Sequence, residues 1–482
     1  MNRSFIIPKL KLASPKQLEI LHQASIQILE KTGVDYLNDD ALQLLRNAGA
    51  HVNGRRVKIS QALVERCLEL TPKRVILYNR KGQIAMRLEN DTDYFGTGSD
   101  TPYVIDPFNG MRRQPLKKDI ELMSRLVDIS PNISFTMSMG IASDVDERTS
   151  DVHHFQAMVK NTTKPIIFTA WFLDSLRDIY DMCTAIVGNE KTLATKPFAV
   201  LYAMPTAPLQ HTDEVCKQII FCAQKGIPLI YPSGPLLAAT SPVTIAGSLA
   251  QLNAEFLSGL VLAQLKHPGA IVIHGGATCP LDFRTMTMSI AAPEVVLGYA
   301  ALKEIASHYH LPIFTLAGAS DSKILDQQAA SEAAFSITIA CVSGQNLIHD
   351  VGYIEGGLTS SFEMVLLGNE LIAMARRLKK GFQLNEETLG LDVIDRVGPG
   401  GSFIDAEHTL KHFKEEIWYP SMMDRRNFRA WSDYGGKDLF EILNERVRHI
   451  LKTHQPDPLH EDVIQCLQHI IERSEIRHQK LR

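Results

Sequence analysis

The chain has no C-x-x-C pair, and its seven cysteines (Cys67, Cys183, Cys216, Cys222, Cys279, Cys341 and Cys466) are scattered and odd in number. A disulfide framework and a zinc ribbon are both excluded, and a reducing compartment is expected. A long basic run is missing too: 50 Lys and Arg against 54 Asp and Glu leave a formal net charge of -4, so nothing stands out that would release counterions from a nucleic acid. The opening residues MNRSFIIPKLKLASPKQ hold no apolar core long enough for a signal peptide, because Pro8 and then lysines follow FII at once. No apolar run reaches the roughly 18 residues of a membrane span; residues 227–240 are broken by Pro228, Pro232, Gly234 and Pro235. The expectation is a cytoplasmic globular protein with neither nucleic acid nor membrane as a partner.

Several catalytic signatures are absent as well. There is no G-x-x-x-x-G-K-[ST] phosphate loop, no G-x-G-x-x-G after a first strand and no G-x-S-x-G. Ser99 and Ser233 have no evident base near them in sequence. His274 and Cys279 lack the further ligands of a catalytic zinc site, so no tightly bound metal is expected. Asp321 and Asp326 read as solvated or helix-capping loop carboxylates.

What is present is a rhythm. The first 90 residues read as a small α+β region, with helices over 15–31, 39–47 and 61–70, the second capped by Asn38 or Asp39, and short strands over 50–59 and 75–79. From Tyr94 onward, short apolar runs end in Gly, Pro, Ser or polar residues, and helical stretches follow them. The runs are DYFGTG (93–98), ISFTMSMG (133–140), PIIFTAW (165–171), PFAVLYAMP (197–205), IPLIYPSG (227–234), AIVIHGGA (270–277), PIFTLAGAS (312–320) and NLIHDVG (346–352). Amphipathic helices over 212–224, 242–265 and 293–308 supply crossovers.

About eight βα units in about 270 residues is what a (β/α)8 barrel requires, and near-continuous apolar strands suit a sheet covered on both faces. The expected class is therefore α/β, a TIM (β/α)8 barrel over 91–397 with an N-terminal α+β region over 1–90 and C-terminal helices over 398–482. An open doubly wound sheet is the alternative. In the C-terminal stretch, GPGGSF reads as a tight loop, HTLKHFKEEIWYP as a helix and 461–480 as a long charged amphipathic helix; together they are expected to close the barrel bottom or form a dimer face, with the C-terminal helix as the homo-oligomer contact.

In such a barrel the functional residues lie where strands end. Aromatics are only 7% of the chain, yet Tyr94, Phe95 and Tyr103 fall around the first strand, Trp171 and Phe172 after the third, Tyr202 at the fourth, Tyr231 at the fifth and Tyr353 after the eighth. A mouth lined this way suits a quaternary ammonium held by cation–π attraction, although each ring alone is as well explained by ordinary packing. In NLIHDVGYIEGG, His349 and Asp350 are neighbours on a strand. Alternation points them to opposite faces, so they are expected to form no dyad, with His349 inward, unless a bulge intervenes.

Five blocks resemble the trimethylamine methyltransferase family: DYFGTGSDTPYVIDPFNGMRRQPLKKDI, KPIIFTAW, AGASDSKILDQQAASEAAFS, NLIHDVGYIEGGLTSSFEMVLLGNELI and HTLKHFKEEIWYPSMMDRRNFRAW. The resemblance runs from about Leu10 to Val463. It implies a TIM barrel and transfer of a methyl group from a methylamine or betaine to cobalt in a separate corrinoid (cobalamin) protein. Trimethylamine-specific members carry pyrrolysine in the region of SDSKILDQQAAS; here that region holds standard residues, with Gln327, Gln328 and Ala329 near the place. A neutral tertiary amine would have to expel an amide anion and so needs electrophilic activation, whereas a quaternary ammonium leaves as a neutral amine.

The resemblance therefore implies a quaternary-amine enzyme similar to the glycine betaine branch. Carnitine, proline betaine and γ-butyrobetaine are alternative substrates, and a zinc-assisted methyltransferase or a non-catalytic quaternary-amine binder are rival functions. Rings among Tyr94, Phe95, Trp171, Tyr202, Tyr231 and Tyr353 would hold the ammonium. The substrate carboxylate would rest on the backbone of Gly98 and Ser99, on His349 as the catalytic candidate, or on Lys323. Gly96, Gly356 and Gly357 would let the corrinoid approach. No D-x-H-x-x-G stretch occurs, so the corrinoid is expected on a partner protein.

Overall fold

A computed structural model describes residues 4–479. Eight parallel strands form the centre: β1 (Tyr94–Gly96), β2 (Ile133–Phe135), β3 (Ile166–Phe168), β4 (Ala199–Tyr202), β5 (Leu229–Ser233), β6 (Val272–Gly276), β7 (Ile313–Leu316) and β8 (Leu347–His349). Each pairs with its sequence neighbours, β8 pairs with β1, and a parallel bridge between Thr136 and Ile166 closes the ring. The helix after each strand covers the outside: α1 (Lys117–Ile129), α2 (Ser150–Asn161), α3 (Leu173–Val187), α4 (Asp213–Lys225), α5 (Ile245–Lys266), α6 (Pro293–His308), α7 (Gln327–Ser343) and α8 (Phe362–Lys380). The chain is thus a TIM barrel, with all eight strands inside the apolar runs of the sequence.

Alternation explains why those runs are continuous. Phe135, Ile167, Val200, Ile230, Ile273, Phe314 and Leu347 fill the interior, while Ile166, Leu201, Leu229, Tyr231, Val272 and Ile313 face the helices, so both faces of each strand are buried. Start signals are equally local. Thr212 accepts a hydrogen bond from Val215 N–H to cap α4, Asp326 caps α7 through Ala329 N–H, and Gly226 in the left-handed region ends α4. Helix α5 is long and apolar enough to cross a membrane, but 83% of that window is buried within the protein, between the barrel and the N-terminal helices.

The N-terminal helices Asp39–Asn47 and Gln61–Leu70 lie where the periodicity puts them, and Asn38 caps the first. The hairpin Val75–Tyr78 and Ile84–Leu88 plugs the N-terminal end of the barrel, where Val75, Leu77, Met86 and Leu88 join the interior core. The barrel bottom is thus closed by this hairpin and not by the C-terminal helix.

That helix, Glu461–Gln479, lies instead along α2 and α3; Lys480 falls outside the described residues. Leu467, Ile470 and Ile471 are buried there, and Arg473 and Arg477 both donate to Asp178, whose side chain is 1% exposed. Its apolar face is therefore already covered within the chain. Asp178→Ala leaves both guanidiniums without this acceptor and is expected to cost about 2 kcal/mol, less than a fully buried pair because the arginines are half in solvent. A lowered urea midpoint would show it, and an unchanged midpoint would mean that the apolar face alone holds the helix.

Candidate active site

The C-terminal ends of β1, β4, β7 and β8 converge on a recessed chamber. Phe314 of β7 forms its floor, with the His349 ring stacked on it at 4.2 Å and 11°. Tyr202, the last residue of β4, stands 6.0 Å from His349 and 5.5 Å from Phe314, its hydroxyl donating to Met204 Sδ at 3.0 Å.

The expectation for His349 and Asp350 needs correction. The strand ends at His349, and Asp350 takes φ 74°, a left-handed conformation that Asp tolerates better than most residues. Alternation therefore stops one residue early, and Asp350 Oδ1 comes to 2.5 Å from His349 Nδ1. That nitrogen has no aligned hydrogen bond, so the contact is a close charge–dipole approach rather than a formed bond.

Opposite, the loop after β1 brings in Gly98, Ser99 and Asp100. A Cβ on Gly98 would lie 2.1 Å from Tyr353 Cζ and 2.6 Å from Asp350 Oδ1, so glycine here is what lets the Tyr353 ring and the Asp350 carboxylate close on the loop. The Tyr353 hydroxyl donates to the Ser99 carbonyl. Asp100 N–H donates to Ser138 Oγ, which in turn donates to Asp100 Oδ1, both at 2.9 Å. Behind it, Asp151 of α2 accepts Trp171 N–H at 2.7 Å through one oxygen, while the other is buried without a partner.

Burial pushes the Asp100 carboxyl above its ordinary range, and pushes Asp151 further because the Asp100 charge adds to it. The Tyr202 and Tyr353 phenols are raised by burial and then by the Asp350 and Asp100 charges, so both stay protonated at neutral pH. Burial, with Asp350 and Asp321 beyond it, lifts the Cys279 thiol to about 12, which excludes a ready thiolate. Among the described residues no Lys or Arg pairs with Asp100 or Asp350. Two carboxylates among aromatic rings without a resident cation are a costly arrangement that a cationic ligand offsets.

A cavity of about 930 Å³ opens beside the chamber between the hairpin Cys279–Asp282/Thr287–Met288 and the loops after β7 and β8. Asp321, Lys323, Glu355 and Gly356 line it; Lys323 Nζ donates to the Asp321 carbonyl at 2.8 Å, and Glu355 pairs with Arg112 at 2.8 Å.

The structure brings together Gly98, Ser99, Tyr202, His349 and Tyr353 of the sequence candidates, with Lys323 on the neighbouring cavity wall. It does not bring the others. Tyr94 points to the barrel bottom, where its hydroxyl accepts Arg87 N–H. Phe95 faces α8 outside the barrel, with Arg376 5.8 Å from its ring. Tyr231 lies against Gly259 of α5 and hydrogen-bonds His211, also outside. Alternation turns Phe95 and Tyr231 outward, whereas Tyr94 faces inward but starts its strand and so lies at the opposite end of the barrel from the mouth. Trp171 sits on the rim, 60% exposed.

Gly96 makes room for the Phe135 ring inside the barrel, since a Cβ would lie 2.2 Å from it, and not for a corrinoid. Gly356 and Gly357 take φ 64° and 89° and so serve the turn after Tyr353. Of the two backbone groups expected to hold an anion, the Gly98 N–H is engaged by Met139 Sδ, which removes it from that role. His274 packs on Phe256 at 3.8 Å, outside the barrel. Asp100 and Phe314 are not among the sequence candidates, and Asp350 is expected from the sequence to face away from the site. The signal for Asp100 is its position just past a strand end, where a carboxylate is as informative as an aromatic.

The fold is that of the (β/α)8 barrels, whose active sites as a class lie at the C-terminal ends of the strands. Residues 3–478 match the trimethylamine methyltransferase (MTTB) family, and the chain belongs to it. It is 30% identical to trimethylamine methyltransferase MttB of Desulfitobacterium hafniense over 96% of this chain and 93% of that one. It is 28% identical to the glycine betaine methyltransferase of D. hafniense strain Y51 over 97% of each. The Methanosarcina barkeri monomethylamine methyltransferase MtmB shares the fold with a TM-score of 0.54 over 92% of this chain and 88% of that one, at 12% identity.

Proposed function

We propose that this methyltransferase takes its methyl group from a quaternary amine, glycine betaine in the first instance, and passes it to a corrinoid carried by a separate protein. The observation that carries the reading is the pair of carboxylates, Asp100 and Asp350, set among Tyr202, Tyr353 and His349 with no Lys or Arg of the described residues paired to either. The likeness to a glycine betaine methyltransferase, and standard residues at Gln327, Gln328 and Ala329, support the same substrate class.

The chain's own residues orient and do not activate. Asp100 and Asp350 neutralise the ammonium, and the rings of Tyr202, Tyr353 and His349 wall it so that one methyl faces the open mouth. His349 acts by contact with the substrate. In the transfer the C–N bond breaks, its electron pair stays on nitrogen, and a neutral tertiary amine leaves; no proton moves, so the protonated phenols and the raised thiol have no acid–base task. Asp350 beside His349 repels a substrate carboxylate, which leaves Lys323 on the cavity wall to receive it.

The rim fits a macrocycle presented by another protein, because Met111, Trp171, Val243, Phe283, Met286 and Ile324 expose apolar surface on the loops around the mouth. When bound, the corrinoid supplies the nucleophile as reduced cobalt.

Calorimetry tests the binding half of this reading. A cation favours ionised Asp100, whose carboxyl is raised by burial, so binding releases a proton wherever Asp100 is still protonated. Glycine betaine affinity should fall as pH drops through that raised range, and Asp100→Asn should abolish the dependence. No binding, or affinity that rises on acidification, contradicts the site.

A further inference from the structure

Tyr202 and Tyr353 stand beside two carboxylates, yet neither phenol gives its proton to one. At the end of β4 the chain stays extended, with Ala203 N–H donating to the Ile230 carbonyl at 3.1 Å and continuing the ladder. Tyr202 and Met204, two residues apart, therefore share the inward face with Val200. Met204 Sδ accepts the Tyr202 hydroxyl at 3.0 Å. The Met204 methyl packs where Gly234, just past β5, has no side chain: a Cβ there would lie 3.1 Å from Met204 Cε. Tyr353 follows the same pattern. Its hydroxyl and Asp350 Oδ1 both lie within 2.6 Å of the point that a Gly98 Cβ would occupy, yet Tyr353 donates to the Ser99 carbonyl.

These partners run against hydrogen-bond strength. A thioether is a weak acceptor, whereas a hydrogen bond to a carboxylate is charge-assisted and roughly twice as strong as a neutral one. Burial first, and then the charges of Asp350 and Asp100, raise the Tyr202 phenol, so carboxylates lie near and the proton stays on the oxygen. A phenol proton given to either carboxylate would satisfy it and compete with an ammonium that offers only C–H groups and no N–H. With its proton on Met204, Tyr202 presents the carboxylates with no competing donor.

We propose that Met204 is a positioning residue: by accepting the Tyr202 proton it keeps the phenol from Asp350 and Asp100 and leaves both carboxylates open to a quaternary ammonium. The proposal rests on the substrate reading above and adds to it a residue that acts through Tyr202 without touching the methyl donor.

A double-mutant cycle on the full chain, read by calorimetry with glycine betaine and with tetramethylammonium, tests it. Tetramethylammonium carries no carboxylate, so its affinity reads the cation contact alone. Met204→Leu conserves volume, a swap that packed sites tolerate, and removes the acceptor. The freed phenol turns to a carboxylate, and affinity for both cations should fall about tenfold, the worth of one hydrogen bond to a charged group. In a Tyr202→Phe background there is no proton to place, and Met204→Leu should then change affinity by less than about twofold. In turnover the loss should sit in KM, with kcat within about twofold of wild type. Unchanged affinity in Met204→Leu overturns the proposal and leaves the substrate reading standing. So does an equal loss in both backgrounds, which would mean that Met204 only packs. A wild type that binds neither cation overturns both.

Discussion

Asp350→Asn should lower kcat/KM for a quaternary amine by about 30-fold or more while leaving the melting temperature within a few degrees of wild type. The left-handed backbone at this position, φ 74°, is one that Asn adopts as readily as Asp, so the turn into Tyr353 keeps its shape. What disappears is a charge in a recessed site faced by the phenols of Tyr202 and Tyr353. Truncating one partner of a buried charged contact typically costs about 2–5 kcal/mol, which at 1.4 kcal/mol per decade is a loss of one to three decades or more. The cation is bound in the ground state and is being neutralised as the C–N bond breaks. The loss should therefore appear mainly in KM, with a smaller change in kcat. Steady-state kinetics under anaerobic conditions reads this directly. If kcat/KM stays within threefold, the carboxylate does not hold the substrate.

Gly98→Ala is the second large effect, and it tests geometry rather than charge. Gly98 does not have a positive φ, so alanine meets no backbone strain; its cost is the methyl itself, 2.1 Å from Tyr353 Cζ, 2.3 Å from its hydroxyl and 2.6 Å from Asp350 Oδ1. Tyr353 is packed in the outer core and tied to the Ser99 carbonyl, so it cannot swing away freely. Both site residues shift by about an ångström, which can cost about 100-fold in rate, and overpacking should lower stability by about 1–3 kcal/mol. Activity should fall far more than stability. Wild-type activity in Gly98→Ala would mean that the Tyr353–Asp350 wall is not in contact with substrate.

How far the site was legible in sequence follows from which physical rule governs each residue. The strands were readable because a parallel sheet buried on both faces writes itself as short apolar runs, and all eight runs contain one. Proximity to a strand end was not enough to place an aromatic. Tyr94, Phe95 and Tyr231 all lie on barrel strands, yet depth along the strand puts Tyr94 at the bottom plug and alternation turns Phe95 to α8 and Tyr231 to α5. Tyr202 and Tyr353 were found because one ends its strand facing inward and the other lies on the loop that folds back over the mouth. Asp350 was misplaced for a different reason: alternation assumes that the strand continues, and a single left-handed residue ends it. Nothing in the pattern of a sequence announces that φ.

The central claim is that the substrate is a quaternary amine that needs no covalent activation. Purified protein, reduced cobalamin and one candidate methyl donor at a time, mixed without oxygen and followed by the loss of cobalt(I) absorbance, tests it most directly. The donors are glycine betaine, carnitine, proline betaine, γ-butyrobetaine and trimethylamine. The account predicts loss of absorbance with a quaternary amine and none with trimethylamine. Reaction with trimethylamine, or with no quaternary amine while calorimetry still shows binding, would contradict it.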